Sequence, residues 1–432
     1  MSFNVFSGPM RMALCAALLW SGVAQAQERT TLVEPAAALT LQQALQLALD
    51  ANPTLAAARR EVDAAAAQVL QGSLRPNPEF IYQTEDASRV ARTSSVEIGL
   101  PFETAGKREA RVRAADLGRE VAQSDLENRA LRLRAAVIAA FFDVLAAQEL
   151  AALAADSVRL AQRATDIAAK RVAAGKVSPV EETRARVAEG GVRVTQTQAD
   201  SELRNARRRL SILWANPSPN FTIAQGEVER LADLPPADAI EQRLASSPLL
   251  QRAQRELARR QSLVSLEQSR AVPDFMLNVG VRRSVETSGN QALLGVTVPL
   301  PVSNRNQGNI LEALRREDKA REELFATQMA LISDVQQALE RVRARRDEAE
   351  LLRRDVLPGA RSAYDAATIG FENGKFSFLE VLDAQRTLFA VKSQYLNALA
   401  NVHRAQAELE SLLGEGALNA PGAPAPQSSP TP

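Results

Sequence analysis

Cysteine and histidine occur once each, as Cys15 and His403, so neither a disulfide framework nor a His/Cys metal cluster can be drawn from the chain. Aromatic residues are only 4% of the sequence, few for a set of compact globular cores. An excess of one charge is also lacking: 52 Lys and Arg stand against 51 Asp and Glu, whereas a nucleic-acid binder would be strongly basic. The glycines are scattered without a phosphate-loop pattern, and no nucleophile–base or paired-acid arrangement supports an enzyme. Past the N-terminus no eighteen apolar residues run uninterrupted, so no membrane-crossing helix is expected and any insertion into lipid must use strands. What the chain has is Ala, Leu, Glu, Arg and Gln at sustained apolar periodicity, the composition of long helices.

Residues 1–26 differ from the rest. Arg11, the apolar run from Met12 to Trp20 and the small-residue site Ala24-Gln25-Ala26 read as a secretory signal peptide cleaved before Gln27. Bulky Leu14 beside Cys15 argues against a lipidated cysteine. Residues 27–38 form an N-terminal extension, and residues 414–432, rich in Ala, Pro and Ser, read as a disordered tail.

Between them the chain is written twice. Asn52-Pro53 corresponds to Ser247-Pro248, Asn77-Pro78-Glu79-Phe80 to Val272-Pro273-Asp274-Phe275, and Gly175-Lys176-Val177-Ser178 to Gly374-Lys375-Phe376-Ser377, in the same order and at a nearly constant offset. The first copy spans 39–214 and the second 236–413, joined by a linker, 215–235. Each reads as helix, strand, strand, very long helix, tight turn, helix. The predicted elements are 40–75, 78–86, 94–102, 106–174 and 178–214, then 236–271, 273–283, 292–300, 308–373 and 377–413.

A helix from 106 to 174 would be about 100 Å long at 1.5 Å per residue, and Pro358-Gly359 predicts a kink in its counterpart. Each turn has a stop and a start: Gly175 and Gly374 end one helix, Ser178 and Ser377 cap the next, and Glu181 and Glu380 complete a Ser-x-x-Glu capping box. Gly190-Gly191, inside a predicted helix, marks either close packing or a bend.

The strands alternate. Val96, Ile98 and Leu100 oppose Ser95, Glu97 and Gly99; Phe275, Leu277, Val279 and Val281 oppose Asn278, Gly280 and Arg282; Leu294, Val296 and Val298 oppose Gly295 and Thr297. Either an amphipathic hairpin on a soluble core or an apolar-out, polar-in transmembrane barrel fits this pattern, and the lack of a visible core favours the barrel. Four strands cannot close one, since the smallest spanning barrels use about eight. Open edges are not tolerated in lipid, so several copies must share one wall.

These residues resemble the TolC-type outer-membrane efflux channels over about residues 39 to 414. The stretch Gly374-Lys375-Phe376-Ser377-Phe378-Leu379-Glu380-Val381-Leu382-Asp383-Ala384-Gln385 is similar to that family's helical-tip motif. Pro101-Phe102-Glu103-Thr104-Ala105-Gly106-Lys107-Arg108, and Pro299 to Gly308, look most like the outer-membrane subunits of cobalt-zinc-cadmium efflux systems.

The resemblance implies a mainly α protein with a small β part. In it, a homotrimer builds a twelve-stranded barrel in outer-membrane lipid, continued by a helical barrel in the periplasm. It also implies a periplasmic adaptor and an inner-membrane, proton-driven resistance-nodulation-division pump as partners, with no cofactor, no catalysis and no nucleic acid. The cargo it implies is divalent heavy-metal cations. A duct for drugs or secreted proteins remains an alternative, as does a periplasmic coiled-coil protein without a pore.

By the same resemblance Glu380 and Asp383 line the periplasmic entrance, where a ring of carboxylates attracts cations. For Glu380 the capping box is an equal alternative. Phe371 and Phe376 stand where similar channels carry a tyrosine and an arginine that tie the entrance shut, so closure here must use other contacts, apolar ones among them. The tips Gly175, Lys176, Ser178, Gly374, Lys375 and Ser377 are expected to dock the adaptor. His403, among polar helix positions, reads as a solvated or packed histidine and not a ligand.

Overall fold

A computed structural model describes residues 34–85, 92–234, 236–285, 289–373, 375–414 and 416. The signal peptide, Gly374 and nearly all of the expected tail lie outside them. The elements are β1 (Ala38–Thr40), α1 (Leu41–Ala51), α2 (Pro53–Ser73), β2 (Glu79–Glu85), β3 (Thr93–Phe102), α3 (Lys107–Ala173) and α4 (Pro179–Ser211), followed by β4 (Ile223–Gln225) in the linker. The second copy supplies α5 (Ala237–Ala245), α6 (Pro248–Arg270), β5 (Phe275–Ser284), β6 (Gly289–Thr297), α7 (Gln307–Leu351), α8 (Leu357–Glu372) and α9 (Phe378–Leu413). The fold is mainly α with a small β part, and the helix-strand-strand-helix-helix unit occurs twice.

Several expected elements are cut, each for a local reason. The helix predicted over 40–75 breaks at Asn52, whose side chain accepts from the Thr54 and Leu55 amides at 2.9 and 3.1 Å and starts α2 with Pro53 in its first turn. Its counterpart over 236–271 also breaks before a proline, Pro248, but without a side-chain cap: the Ser247 hydroxyl donates instead to the Leu412 carbonyl at 2.8 Å. The long helix 308–373 is interrupted by a π turn, Leu352–Val356. Pro358 has no N–H for the carbonyl four residues back and its ring crowds that carbonyl, and the widened turn absorbs both. The strand expected at 292–300 instead runs 289–297, because Pro299 and Pro301 cannot donate to a ladder.

Two short strands were not expected. β1 and β4 pair in parallel, and the buried Glu34 carboxylate just before β1 accepts from Trp214 Nε1 (3.2 Å), the Asn216 side chain, and the amides of Asn220 (2.8 Å) and Phe221 (3.2 Å). Gln148 on α3 continues the little sheet, accepting from the Ala224 amide at 2.6 Å and donating to its carbonyl at 3.0 Å.

This lid covers the most apolar part of α3, where an eighteen-residue window reaches a mean hydropathy of 1.8 and is by length and composition able to cross a membrane, contrary to the expectation of none. Val137, Phe141, Val144 and Leu145 from α3 pack there with Leu39, Leu47, Leu210, Trp214 and Phe221. The buried side chains of this stretch build one of the apolar clusters of the helical layer.

Long helices lie side by side in two sets. α2, α3, α6 and α7 follow one another in the first set, and α4, α3, α9 and α8 in the second, so α2 and α4 both run along α3. The strands form one antiparallel sheet in the order β2-β3-β5-β6. Among the described residues the sheet ends in β2 and β6 and the second helical set in α4 and α8, while α7, at the end of the first set, also packs on α9.

Candidate functional site

The sheet's register puts its apolar residues in rows on one face. Phe80, Ile98, Val279 and Leu294 form one row, Tyr82, Val96, Val281 and Ala292 the next, and Leu100, Leu277 and Val296 a third. Phe80 is 72% exposed and Leu294 78%, so nothing among the described residues covers this face. The other face is mainly polar or small, with Glu97, Gly280, Gln83, Ser95, Arg282, Gln291, Gly99 and Asn278, and carries Ile81, Met276 and Leu293 as its apolar members. Phe102 stacks on Phe275 with centroids 5.1 Å apart at one end of the apolar band, and Tyr82 stands toward the other, as aromatic girdles do at lipid interfaces. The outer edges of β2 and β6 have no strand partner among the described residues.

The join of sheet to helices is a rigid clamp. Ala105 (φ 53°) and Gly106 (φ 66°) turn the chain sharply between β3 and α3. Lys107, buried at the start of α3, pairs with Asp274 at 2.6 Å, and Asp274 also accepts from the Thr104 amide at 2.8 Å, locking the first copy onto the base of β5. Burial opposes ionisation of Asp274, but Lys107 and Thr104 outweigh it and hold the carboxyl below its usual range. Arg111 grips Glu103 through two hydrogen bonds (2.6 and 3.2 Å) and donates to the Gly72 carbonyl at 2.9 Å, while Arg108 donates to that of Ser73 at 2.7 Å. These guanidinium groups satisfy the orphan carbonyls at the end of α2. The motif from Pro101 to Arg108 thus fixes how strands leave helices, a role the sequence reading did not assign.

At the first tip Gly175 is left-handed (φ 67°), its amide donates to Val172 and that of Lys176 to Arg171, both at 2.9 Å, which is a Schellman stop. Ser178 then accepts from the Val180 amide at 3.4 Å, but the capping box expected here does not form. Ser178 engages the second helical amide, and Glu181 faces Arg184 at 3.5 Å instead of turning back.

The second tip does carry the box. The Ser377 amide donates to the Glu380 carboxylate at 2.6 Å, while the Lys375 backbone amide donates to the Gly370 carbonyl at 2.8 Å. Glu380 is therefore engaged as a cap. Asp383, one turn on, is exposed and has no ion pair among the described residues; it lines a groove between α4 and α9 with Val187, Leu379 and Arg386. Lys176 and Lys375 are exposed.

Phe371 and Phe376, expected at the entrance, make different contacts. Phe371 is half-buried against Ala164, Ala168, Val381 and Leu382, and the Arg171 guanidinium sits 4.9 Å from its ring centroid. Arg171 belongs to the first copy and Phe371 to the second, so this contact holds the two tips level. Its one sign in the sequence is a cation in the last turn of α3. Phe376 folds back over Gly370, where an added Cβ would come within 2.1 Å of the ring.

His403 is packed, not solvated. Its ring stacks on Phe142 with centroids 3.4 Å apart, and Nε2 donates to the Val228 carbonyl at 2.8 Å. Burial holds the imidazole below the usual histidine range, with that hydrogen bond acting against it. An unfolded chain takes the proton near pH 6.5, so stability should fall as pH drops through that value and on through the lower folded one. His403→Phe should flatten this acid limb in unfolding measured from pH 8 to 5; an unchanged limb would assign it to other groups. Among the described residues no group of three or more His, Cys, Asp or Glu is placed to hold a metal ion.

Sheet and tips together define a class: a subunit that lays an apolar-faced open sheet in lipid and extends a layer of long helices from it. The sequence pattern described as "Outer membrane efflux protein" matches twice, at residues 44–216 and 239–415, and the chain belongs to that family. It is 42% identical over 397 residues to the cobalt-zinc-cadmium resistance protein CzcC of Cupriavidus metallidurans, covering 91% of this chain and 95% of that one. It is 25% identical over 305 residues to the nickel-cobalt-cadmium resistance protein NccC of Alcaligenes xylosoxydans xylosoxydans, covering 69% and 67%. The fold is shared with CusC (TM-score 0.72, 18% identity, 87% of this chain and 92% of that). It is shared too with the Campylobacter jejuni outer membrane channel CmeC (TM-score 0.71, 17% identity, 87% and 85%).

Proposed function

We propose that the chain is the outer-membrane duct of a proton-driven tripartite efflux complex and passively conducts divalent heavy-metal cations, cobalt, zinc and cadmium among them, to the exterior. The observation that carries this reading is the four-stranded sheet, apolar on one face, mainly polar on the other, with that apolar face uncovered and both edges free among the described residues. Three copies give twelve strands and a closed wall in the outer membrane, with the helical layer reaching into the periplasm after a signal peptide is cut before Gln27. The resistance proteins it resembles support the metal cargo.

The tips at Gly175, Lys176, Ser178, Gly374, Lys375 and Ser377 meet a periplasmic adaptor, and a resistance-nodulation-division pump delivers the cargo. Asp383 leads the carboxylate ring at the entrance, with Glu380 beside it as cap. Closure rests on Phe371, held by Arg171, and on Phe376. Phe376→Ala should raise single-channel conductance in planar bilayers, and conductance equal to wild type would count against apolar closure. A deletion strain should become sensitive to cobalt, zinc and cadmium and recover with the intact gene. Unchanged metal tolerance with lost drug or protein export would favour a duct for those cargoes.

A further inference from the structure

Gly190 and Gly191 find no use in the chain's own packing. α4 runs unbroken through them from Pro179 to Ser211, and a Cβ at either position would meet nothing within 4 Å, so neither a bend nor close packing explains them. Two glycines in succession weaken a helix interior relative to alanine and call for another cause.

At Gly191 the open space is a cavity. It measures about 200 Å³ and lies between α3, α4 and α9, where the hairpin of the first half of the chain meets the last helix of the second. Ala154 of α3, Val192 of α4 and Phe389 of α9 give it apolar walls, and Gly191 borders it with no side chain to fill it.

Two polar groups remain available to an occupant. Gln385, only 8% exposed, donates from Nε2 to the Ser157 carbonyl at 3.3 Å, while its Oε1 accepts no hydrogen bond among the described residues. Arg386, the next residue, also lines the cavity; it is exposed and pairs with no carboxylate among the described residues. Thr195, by contrast, already donates its hydroxyl to the Gly191 carbonyl at 3.2 Å.

A buried amide oxygen without a donor is costly unless something supplies one. Water alone fits poorly, because it needs about two to four polar partners and apolar atoms make most of this wall. Small-molecule sites have this composition, an apolar body with a few polar groups that fix orientation. An apolar cavity of about 150 Å³ takes one benzene molecule. The larger space here has room for one ring and a short polar substituent.

We propose that this cavity binds a small amphipathic anion, a single hydroxylated ring bearing a short carboxylate chain. The ring lies against Phe389, Val192 and Ala154 in the space that Gly191 leaves open. Its hydroxyl donates to Gln385 Oε1, and its carboxylate meets the Arg386 guanidinium, the usual partner of such groups. Because the site spans both halves of the chain, an occupant ties α3 and α4 to α9 and stabilises the helical layer.

The test uses the full, detergent-extracted protein with 3-fluoro-4-hydroxyphenylacetate as the probe, its fluorine NMR signal read against detergent alone. Saturable binding is expected, with a rise in the temperature at which the helical signal is lost. Gly191→Leu fills the cavity on a helix that leucine favours over glycine, and should abolish both effects. Gly190→Leu, one residue away and outside the cavity lining, should leave both unchanged. Arg386→Gln should weaken binding about tenfold. The probe 2-fluoro-4-methylphenol, which lacks the carboxylate, should bind wild type and Arg386→Gln equally.

No saturable binding by wild type would overturn the proposal and assign the cavity to water or to a side chain of another protein. Binding that survives Gly191→Leu, or is lost equally in Gly190→Leu, would overturn it too, as would full binding of the carboxylate probe by Arg386→Gln. The duct reading stands in each case, since it rests on the sheet.

Discussion

Glu34→Ala should destabilise the helical layer by about 3 kcal/mol or more, seen as a lower urea midpoint of the helical signal. One buried carboxylate serves four donors, from Trp214, Asn216, Asn220 and Phe221. Truncation leaves them facing a small void, and each buried donor left unpaired costs about 1–3 kcal/mol, less what a water entering the void restores. Glu34→Gln keeps the shape but turns one acceptor oxygen into a donor facing other donors, so its loss should fall between. The effect should spread, because β1 and β4 lie over Phe141 and Leu145 of α3, and the linker that contains β4 also carries the carbonyl that His403 binds. A midpoint unchanged in Glu34→Ala would mean that the lid is held by its apolar contacts alone.

The second large effect is expected at Gly280→Val. A Cβ there would stand 2.4 Å from the Val96 carbonyl oxygen, 2.5 Å from Glu97 Cγ and 2.8 Å from Glu97 Cα. Overpacking that side chains can absorb costs about 1–3 kcal/mol. Two of these three atoms are backbone in the paired strand, so the strands must part and the cost should exceed that range. β3 and β5 join the two copies' hairpins, and their separation would split the sheet into two-stranded pieces, which are not stable alone. Gly295→Ala, on the same polar face, is the matched control, since its Cβ would meet only Asn278 Cβ at 3.9 Å. Loss of folded protein from the outer membrane in Gly280→Val, with Gly295→Ala near wild type, is the expected pair of results. Normal assembly of Gly280→Val would show that the strands tolerate a bulge there.

How much of this could be read beforehand depends on the range of the signal. The duplicated plan, the alternating strands and both tip turns were legible because prolines, glycines and period-two apolar residues act within a few positions. The break at Asn52 has a local sign too, an Asn-Pro cap, but it sits inside a longer helical pattern that masks it. β1 and β4 were not legible, because strands of three residues whose partners lie far off in sequence leave no local period. Glu34 lay in a stretch taken for an extension, and only the folded chain brings its donors to it. For Glu380 the sequence allowed a cap or a pore residue, and the 2.6 Å bond from Ser377 shows the cap occupied. The roles of Lys107 and Arg111 needed three dimensions, because their partners Asp274 and Gly72 are remote in sequence.

The most direct test is the mass of the detergent-extracted protein by light scattering, read together with the behaviour of the same material once detergent is withdrawn. Twelve strands shared by three chains predict a particle three times the chain's mass that resists dissociation until heated and precipitates without detergent. A particle of one chain that stays dissolved in plain buffer would contradict the claim that copies of this protein share one wall in lipid.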